Sequence, residues 1–453
     1  MTALFAPLAL LSDGWASDVR VSLDGSRVAG VEPGAAATPG DHVLAGRALL
    51  PAPGNLHSHA FQRAMAGMTE RRGPTADSFW TWRRLMYRFL DVLDPDEIEA
   101  IAGLVYVEML EAGYAAVAEF HYLHHAPGGT PYADPAELSH RIVAAAAATG
   151  IGLTLLPVLY TWGGADRAPL AGGQRRFGND LDGFLTLHAR AGDGLAADGR
   201  LGAAPHSLRA STPDDIRALA AALPHGPMHI HAAEQAGEVE EVAAWLGARP
   251  VDFLLDEIGL GPRWCLIHAT QMTEGETARL AASGATAGLC PITESNLGDG
   301  IFDGARYLAA GGAFGIGSDS NVRIALGEEL RTLEYSQRLR DRARNVLAAP
   351  DASVGRTLYD AALAGGARAL GRESGALRPG ALADLVAIDL DHPVLTALSG
   401  DALLDGWIFA ADDRVVRDVW SAGRHVVRDG RHLARDGIEA RYRAAMAAIL
   451  PRL

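Results

Sequence analysis

Histidines and acids recur in this 453-residue chain at the ends of apolar runs. The clearest case is residues 49–60, LLPAPGNLHSHA, where His57 and His59 lie two apart. Alternate residues of a strand share a face, so both imidazoles can reach one ion. Neutral imidazole suits zinc, iron or copper. Further on, MHIHAAE supplies His231 and Glu234, WCLIHAT supplies His268, and FGIGSDSN supplies Asp319. A single strand-end His or Asp more often caps a turn or meets solvent, so the argument rests on four such ends coinciding. Three imidazoles and one carboxylate could hold a divalent metal and leave a position for water. Zinc would bring the pKa of that water towards ~7. Asp319 and His268 are candidates to accept its proton, and Glu234 to protonate a leaving nitrogen. His229, two residues before His231, is expected lower in the fold as a core histidine.

The elements that must position these groups follow from the pattern of runs. Eight apolar strand-like segments, ALLPAPGNLHSH, AAVAEFHY, IGLTLLPVLY, LGAAPHSL, MHIHAAE, WCLIHAT, ATAGLCPITESN and FGIGSDSN, alternate with helical stretches. Runs apolar throughout suit parallel strands buried on both faces. Asp94-Pro95-Asp96-Glu97 and Thr273-Glu274-Gly275-Glu276 read as helix starts with capping-box acids, and Gly113 and Gly284 as stops. Eight repeats of strand and helix predict a (β/α)8 TIM-like barrel, with chemistry at the C-terminal edge of its strands. An open doubly wound sheet is the alternative, but no Gly-rich phosphate turn is present. The short strands of residues 1–48 and the strand and hairpin patterns past 375 are expected to form one smaller β-sandwich domain. The division is therefore 1–48, 49–374 and 375–453, with a last helix over about 438–450 resting on the barrel or on a partner subunit.

Composition narrows the function classes. The formal net charge of −15 argues against a broad nucleic-acid or anionic-membrane surface. No apolar run is long enough to span a bilayer, and the N-terminus lacks the basic start of a signal peptide. The two cysteines, Cys265 and Cys290, lie inside apolar runs, so a cytoplasmic protein without disulfides is expected. All 40 basic residues are arginine. Lysine Schiff-base chemistry, a P-loop lysine and a metal pair bridged by carboxylated lysine are thereby excluded.

HSH, HAAE, the run-end His268 and GSDS together resemble the mononuclear deaminase branch of the amidohydrolase superfamily. Within it, residues 54–67 (GNLHSHAFQRAMAG), 79–83 (FWTWR), 119–122 (EFHY), 173–177 (GQRRF), 204–209 (APHSLR) and 290–300 (CPITESNLGDG) are similar to enzymes acting on N-formimino-L-glutamate. The resemblance covers essentially the whole chain. It implies His57, His59, His231 and Asp319 as ligands of one divalent metal, with zinc the usual ion. It implies Glu234 and His268 as the acid/base pair, Asp319 helping to orient water, and a cytoplasmic homodimer. The implied reaction is hydrolysis of the C=N bond to N-formyl-L-glutamate and ammonia, within histidine degradation. Gln62, Arg83, Tyr122, His206 and Arg209 form the implied substrate shell. Guanidinium grips carboxylate through paired hydrogen bonds, which suits Arg83 and Arg209 to a dianion.

Deamination of an aminated purine or pterin such as guanine is the other enzymatic reading, since a scaffold does not fix a substrate. A barrel retained for binding alone is a third, disfavoured because the proposed ligands and acid/base residues are present. His121, His124 and His125 cluster after the second strand and could bind another metal, but are read as loop and supporting histidines. The loop 172–177 is either a cationic lid or a static surface loop.

Overall fold

The computed structural model describes residues 2–73 and 79–453; the side chains of Phe79 and Trp80, which open the FWTWR segment, lie outside the described residues. Thr2–Leu11 and Gly14–Asp24 form a long antiparallel pair, extended by Arg27–Glu32. Arg47–Pro51 runs parallel to the first of these and antiparallel to Leu385–Asp389. Val416–Ser421, Arg424–Arg428 and Arg431–His432 follow, so one nine-stranded sheet is woven from both ends of the chain. Leu4, Val19, Val21, Leu49, Leu385 and Trp420 enclose a core of its own. The hairpin turn at Ala422-Gly423 has positive φ at both residues (44° and 77°), the geometry that matches strand twist.

The run that reads as a single strand through His57 is in fact two. Arg47–Pro51 belongs to the nine-stranded sheet, and the barrel opens at Gly54–Ser58. Between them lies Ala52-Pro53, where proline offers no N–H to a ladder. The remaining barrel strands are Ala116–His121, Gly152–Leu159, Ala204–Pro205, Met228–Ala232, Trp264–His268, Thr286–Leu289 and Ala313–Ile316. Strands one to four and five to eight form two parallel arcs. Parallel bridges Ser58↔Asp319, Ala203↔Met228 and Ser207↔His231 join the arcs at both seams. The sheet is closed, as a barrel requires and a doubly wound sheet does not allow.

Helix ends form as the residue pattern predicts. Asp94 and Glu97 cap Pro95–Glu111 reciprocally, and Thr273 and Glu276 do the same for Glu274–Ser283. Val354–Leu370 lies directly on strands one and eight: a Cβ at Gly365 would overlap the backbone of Phe314, and one at Gly366 would sit 2.9 Å from the Gly54 carbonyl oxygen. Glycine is needed there because two backbones touch. At the opposite end of the barrel, fully buried Arg372 lies 3.3 Å from Asp198 and 3.1 Å from Asp384, tying barrel to sheet. The C-terminal helix Arg435–Ile449 packs Ile438 against Leu104 and Val107 of the helix Pro95–Glu111. No helix among the described residues is long and apolar enough to cross a membrane.

Candidate active site and metal centre

The barrel seams bring the strand-end residues together. His59 N donates to Asp319 O and Asp319 N to His57 O, both at 2.9 Å, across the seam of strands one and eight. His231 N donates to His206 O at 3.0 Å across the other. The side chains then converge. His57 Nε2 lies 3.2 Å from His59 Nε2 and 3.1 Å from His231 Nε2, and Asp319 Oδ1 is 3.4 and 3.3 Å from the Nε2 atoms of His57 and His59. Ligands held about 2.0–2.1 Å from a tetrahedral zinc are spaced about 3.3–3.4 Å apart.

The protons agree with that spacing. His59 Nδ1 is 3.0 Å from Phe120 O and His231 Nδ1 is 3.1 Å from His206 O, so each ring donates from Nδ1 and turns an Nε2 lone pair inwards. Burial, the largest cause for each ring, holds all three imidazoles below their ordinary range; the neighbouring imidazoles add to this for His57 and His231. Lone pairs facing one another at this distance repel unless a cation lies among them. The donor set thus fits one divalent metal.

Beside the cluster, His268 Nε2 is 3.9 Å from both Glu234 Oε1 and Asp319 Oδ2. Burial raises the Glu234 carboxyl above its ordinary value, against the pull of His268 and Arg209. Burial opposes charge on His268, but Glu234, Glu294 and Asp319 outweigh it and raise the imidazole. Ala233, His268 and Asp319 have left-handed backbones, with φ of 53°, 72° and 46°. Non-glycine residues held there store strain, a feature that gathers at functional sites.

A cavity of about 240 Å³ opens over this cluster, and Gln62, Arg83, Tyr122, His206 and Arg209 all line it. Gln62 Nε2 donates to Tyr122 Oη at 2.7 Å. Arg83 reaches Tyr160 Oη at 3.4 Å and stacks over Tyr87. Burial opposes the charge of Arg209, but Glu238, Glu234 and Glu241 outweigh it and keep the guanidinium protonated. Two cationic groups therefore share one small chamber with the metal-ligand cluster.

The remaining candidates fall elsewhere. His229 points into the barrel floor, with Nε2 2.8 Å from Ala369 O, as a core histidine does. His124 and His125 are tied to the carbonyls of Val158 and Gly178, and the His121 cluster forms no metal-ligand group among the described residues. In the loop 172–177, Arg176 is fully buried and donates to the carbonyls of His125 and Leu90, while Gln174 bonds Tyr160 Oη and Gly163 O. Gly173, Gln174, Arg176 and Phe177 are buried, while Gly172 and Arg175 stay exposed. Two carboxylates escaped sequence reasoning. Glu238 accepts from the N–H groups of Ala233 and Glu234, and Glu294 accepts from Cys290 N and faces His268. Both lie in helices that follow barrel strands, Ala236–Leu246 and Pro291–Leu297, where the sequence does not distinguish them from ordinary helix acids.

A model of the amidohydrolase family matches residues 48–426, and the model for the N-terminal domain of formimidoylglutamate deiminase HutF matches residues 1–45. The chain belongs to the amidohydrolase family. Within it, the chain is 55% identical over 434 residues to the formimidoylglutamate deiminase of Pseudomonas aeruginosa, covering 95% of each protein. It is 33% identical to a 5-methylthioadenosine/S-adenosylhomocysteine deaminase of Natronomonas pharaonis, over 86% of this chain and 84% of that one. Among solved structures, an amidohydrolase from Brucella melitensis superposes with a TM-score of 0.94 at 50% identity, covering 99% of this chain and 100% of that one. A zinc-bound adenosine deaminase from Xanthomonas campestris shares the fold, at TM-score 0.83 and 22% identity, over 99% of this chain and 98% of that one.

Proposed function

We propose that this chain hydrolyses N-formimino-L-glutamate to N-formyl-L-glutamate and ammonia, a step of histidine degradation. The observation that carries the reading is its 55% identity, over 95% of both chains, to a formimidoylglutamate deiminase. The chamber supports it independently: Arg83 and Arg209 offer two guanidiniums to two carboxylates. An aminated purine would favour aromatic and amide contacts over two arginines. Relatives near 30% identity named for adenosine derivatives or 8-oxoguanine make that class the proper comparator.

His57, His59, His231 and Asp319 are the residues that would hold one divalent metal, most simply zinc. Bound there, the metal supplies Lewis acidity and acidifies water. The protein's own groups do the rest. Arg83 and Arg209 orient the substrate by its carboxylates, and Gln62, Tyr122 and His206 add hydrogen-bonding groups beside its formimino end. Asp319 accepts the proton of the attacking water, and His268, raised by its carboxylate neighbours, turns Nε2 towards the reacting atoms as the second proton-moving group. Glu234 hands a proton to the nitrogen that leaves. Water adds to the formimino carbon, the bond to the terminal nitrogen breaks, and a formyl oxygen and ammonia result. A cytoplasmic homodimer accompanies this reading through the family resemblance.

The test is ammonia release from N-formimino-L-glutamate, with guanine alongside. Ammonia and N-formylglutamate, abolished by a chelator and restored by zinc, are expected. Turnover of guanine with silence on N-formimino-L-glutamate would overturn the substrate assignment.

A further inference from the structure

We propose that Glu294 is a positioning residue that holds the Nδ1–H and fixes the tilt of His268, so that this ring turns Nε2 towards the reacting atoms. The inference rests on the reaction proposed above. His268 has carboxylates on both sides of its ring, and they are not equivalent. On one side Glu294 Oε1 lies 3.3 Å from Nδ1, within hydrogen-bond reach. On the other, Glu234 and Asp319 are each 3.9 Å from Nε2, too far for direct hydrogen bonds. Nδ1–H is therefore committed to Glu294, and Nε2 is the nitrogen left for chemistry. An imidazole oriented by a third group recurs wherever imidazole moves protons.

Two further observations separate this role from simple capping. Glu294 Oε1 also accepts from Cys290 N at 2.8 Å, so one oxygen binds both the start of its own helix and a ring 26 residues away. A backbone N–H alone is satisfied by neutral Ser, Thr or Asn without burying a charge. In addition, His268 leaves its strand with φ of 72°. Strand pleating no longer dictates where its side chain points, so a second anchor has to. Glu294, buried and fixed at its own backbone, is that anchor.

Glu294→Ala and Glu294→Gln separate position from bulk. The Gln oxygen can still face both Nδ1–H and Cys290 N–H; Ala offers nothing. Activity on N-formimino-L-glutamate, metal content and the hydrogen-bonded Nδ1–H of His268, read by NMR of histidine-15N protein, are the measurements. Glu294→Ala should lower kcat about 100-fold or more with KM within about threefold, full metal content and the Nδ1–H signal lost to exchange. Glu294→Gln should keep that signal and recover at least about a tenth of kcat. Unchanged kcat in Glu294→Ala, or a loss carried by KM or metal content with the Nδ1–H signal intact, overturns the proposal. Should Glu294→Ala not fold, Glu294→Gln decides alone: an intact Nδ1–H signal with kcat lost by more than about 100-fold refutes positioning. The NMR measurement uses no substrate, so a wild-type protein inert on N-formimino-L-glutamate would sink the function and leave this inference still decidable.

Discussion

Gly317 offers the sharpest test of how the metal-ligand cluster is built. It sits between the eighth strand and Asp319, and a Cβ added there would lie 2.7 Å from His57 O and 2.8 Å from both His57 Cβ and His57 N. These are mostly backbone atoms, so no flexible side chain can swing away. Restoring ordinary contact needs about 0.7 Å of movement between strands one and eight, whereas metal–ligand distances tolerate about 0.2 Å. Gly317→Ala should therefore stretch the Asp319 N to His57 O hydrogen bond and separate the two ligands. Overpacking of this kind costs about 1–3 kcal/mol of stability. Displaced ligands should weaken metal affinity about 10–100-fold, as when groups supporting a metal site are lost. Zinc competition against a chelator reads the second effect, and thermal unfolding in excess chelator isolates the first. Wild-type zinc affinity with an unchanged melting temperature would refute the claim that this seam sets the ligand spacing.

Two other perturbations probe neighbouring groups. Glu234→Gln should keep full metal content and lose about 10²–10⁴-fold in kcat; near-normal turnover would remove Glu234 from its role. Burial pushes the Glu119 carboxyl from 4.5 up to about 7, partly offset by Ala60 N and the hydroxyls of Ser58 and Tyr106. The folded state thus holds this proton more tightly than the unfolded chain, so its contribution is complete below pH 4.5 and is lost as pH rises towards 7. That span corresponds to about 3 kcal/mol. Glu119→Gln should gain stability relative to wild type across this window in excess chelator, and parallel stability–pH curves would refute it.

The barrel was legible in sequence because parallel strands buried on both faces leave unbroken apolar runs, and their ends stand out when they turn polar. His57, His59, His231, His268 and Asp319 stand out for that reason. What stayed hidden was set by tertiary contact. The run before His57 divides at Ala52-Pro53 only because Leu385–Asp389, more than 300 residues on, claims its first half. The arginines of the loop 172–177 suggest a cationic lid, yet Arg176 spends its guanidinium on the carbonyls of His125 and Leu90. Glu238 and Glu294 look like ordinary helix acids until the fold sets them beside Glu234 and His268.

The position of the cluster also links fold to function. His57 and His59 come from the first arc of the barrel, His231 and Asp319 from the second. Each of these residues also makes a backbone hydrogen bond across a seam, and Asn321 Nδ2 and Asn55 Nδ2 add side-chain ties to Ser58 Oγ and Ser318 Oγ at 3.1 and 2.7 Å. A ligand that engages all four side chains at once must hold the two arcs together. The unfolded chain spreads those side chains over more than 260 residues and presents no common geometry. Whatever binds the cluster therefore binds the closed barrel selectively and stabilises it in proportion to the logarithm of its free concentration. Barrel closure and metal affinity should rise and fall together in variants at either seam.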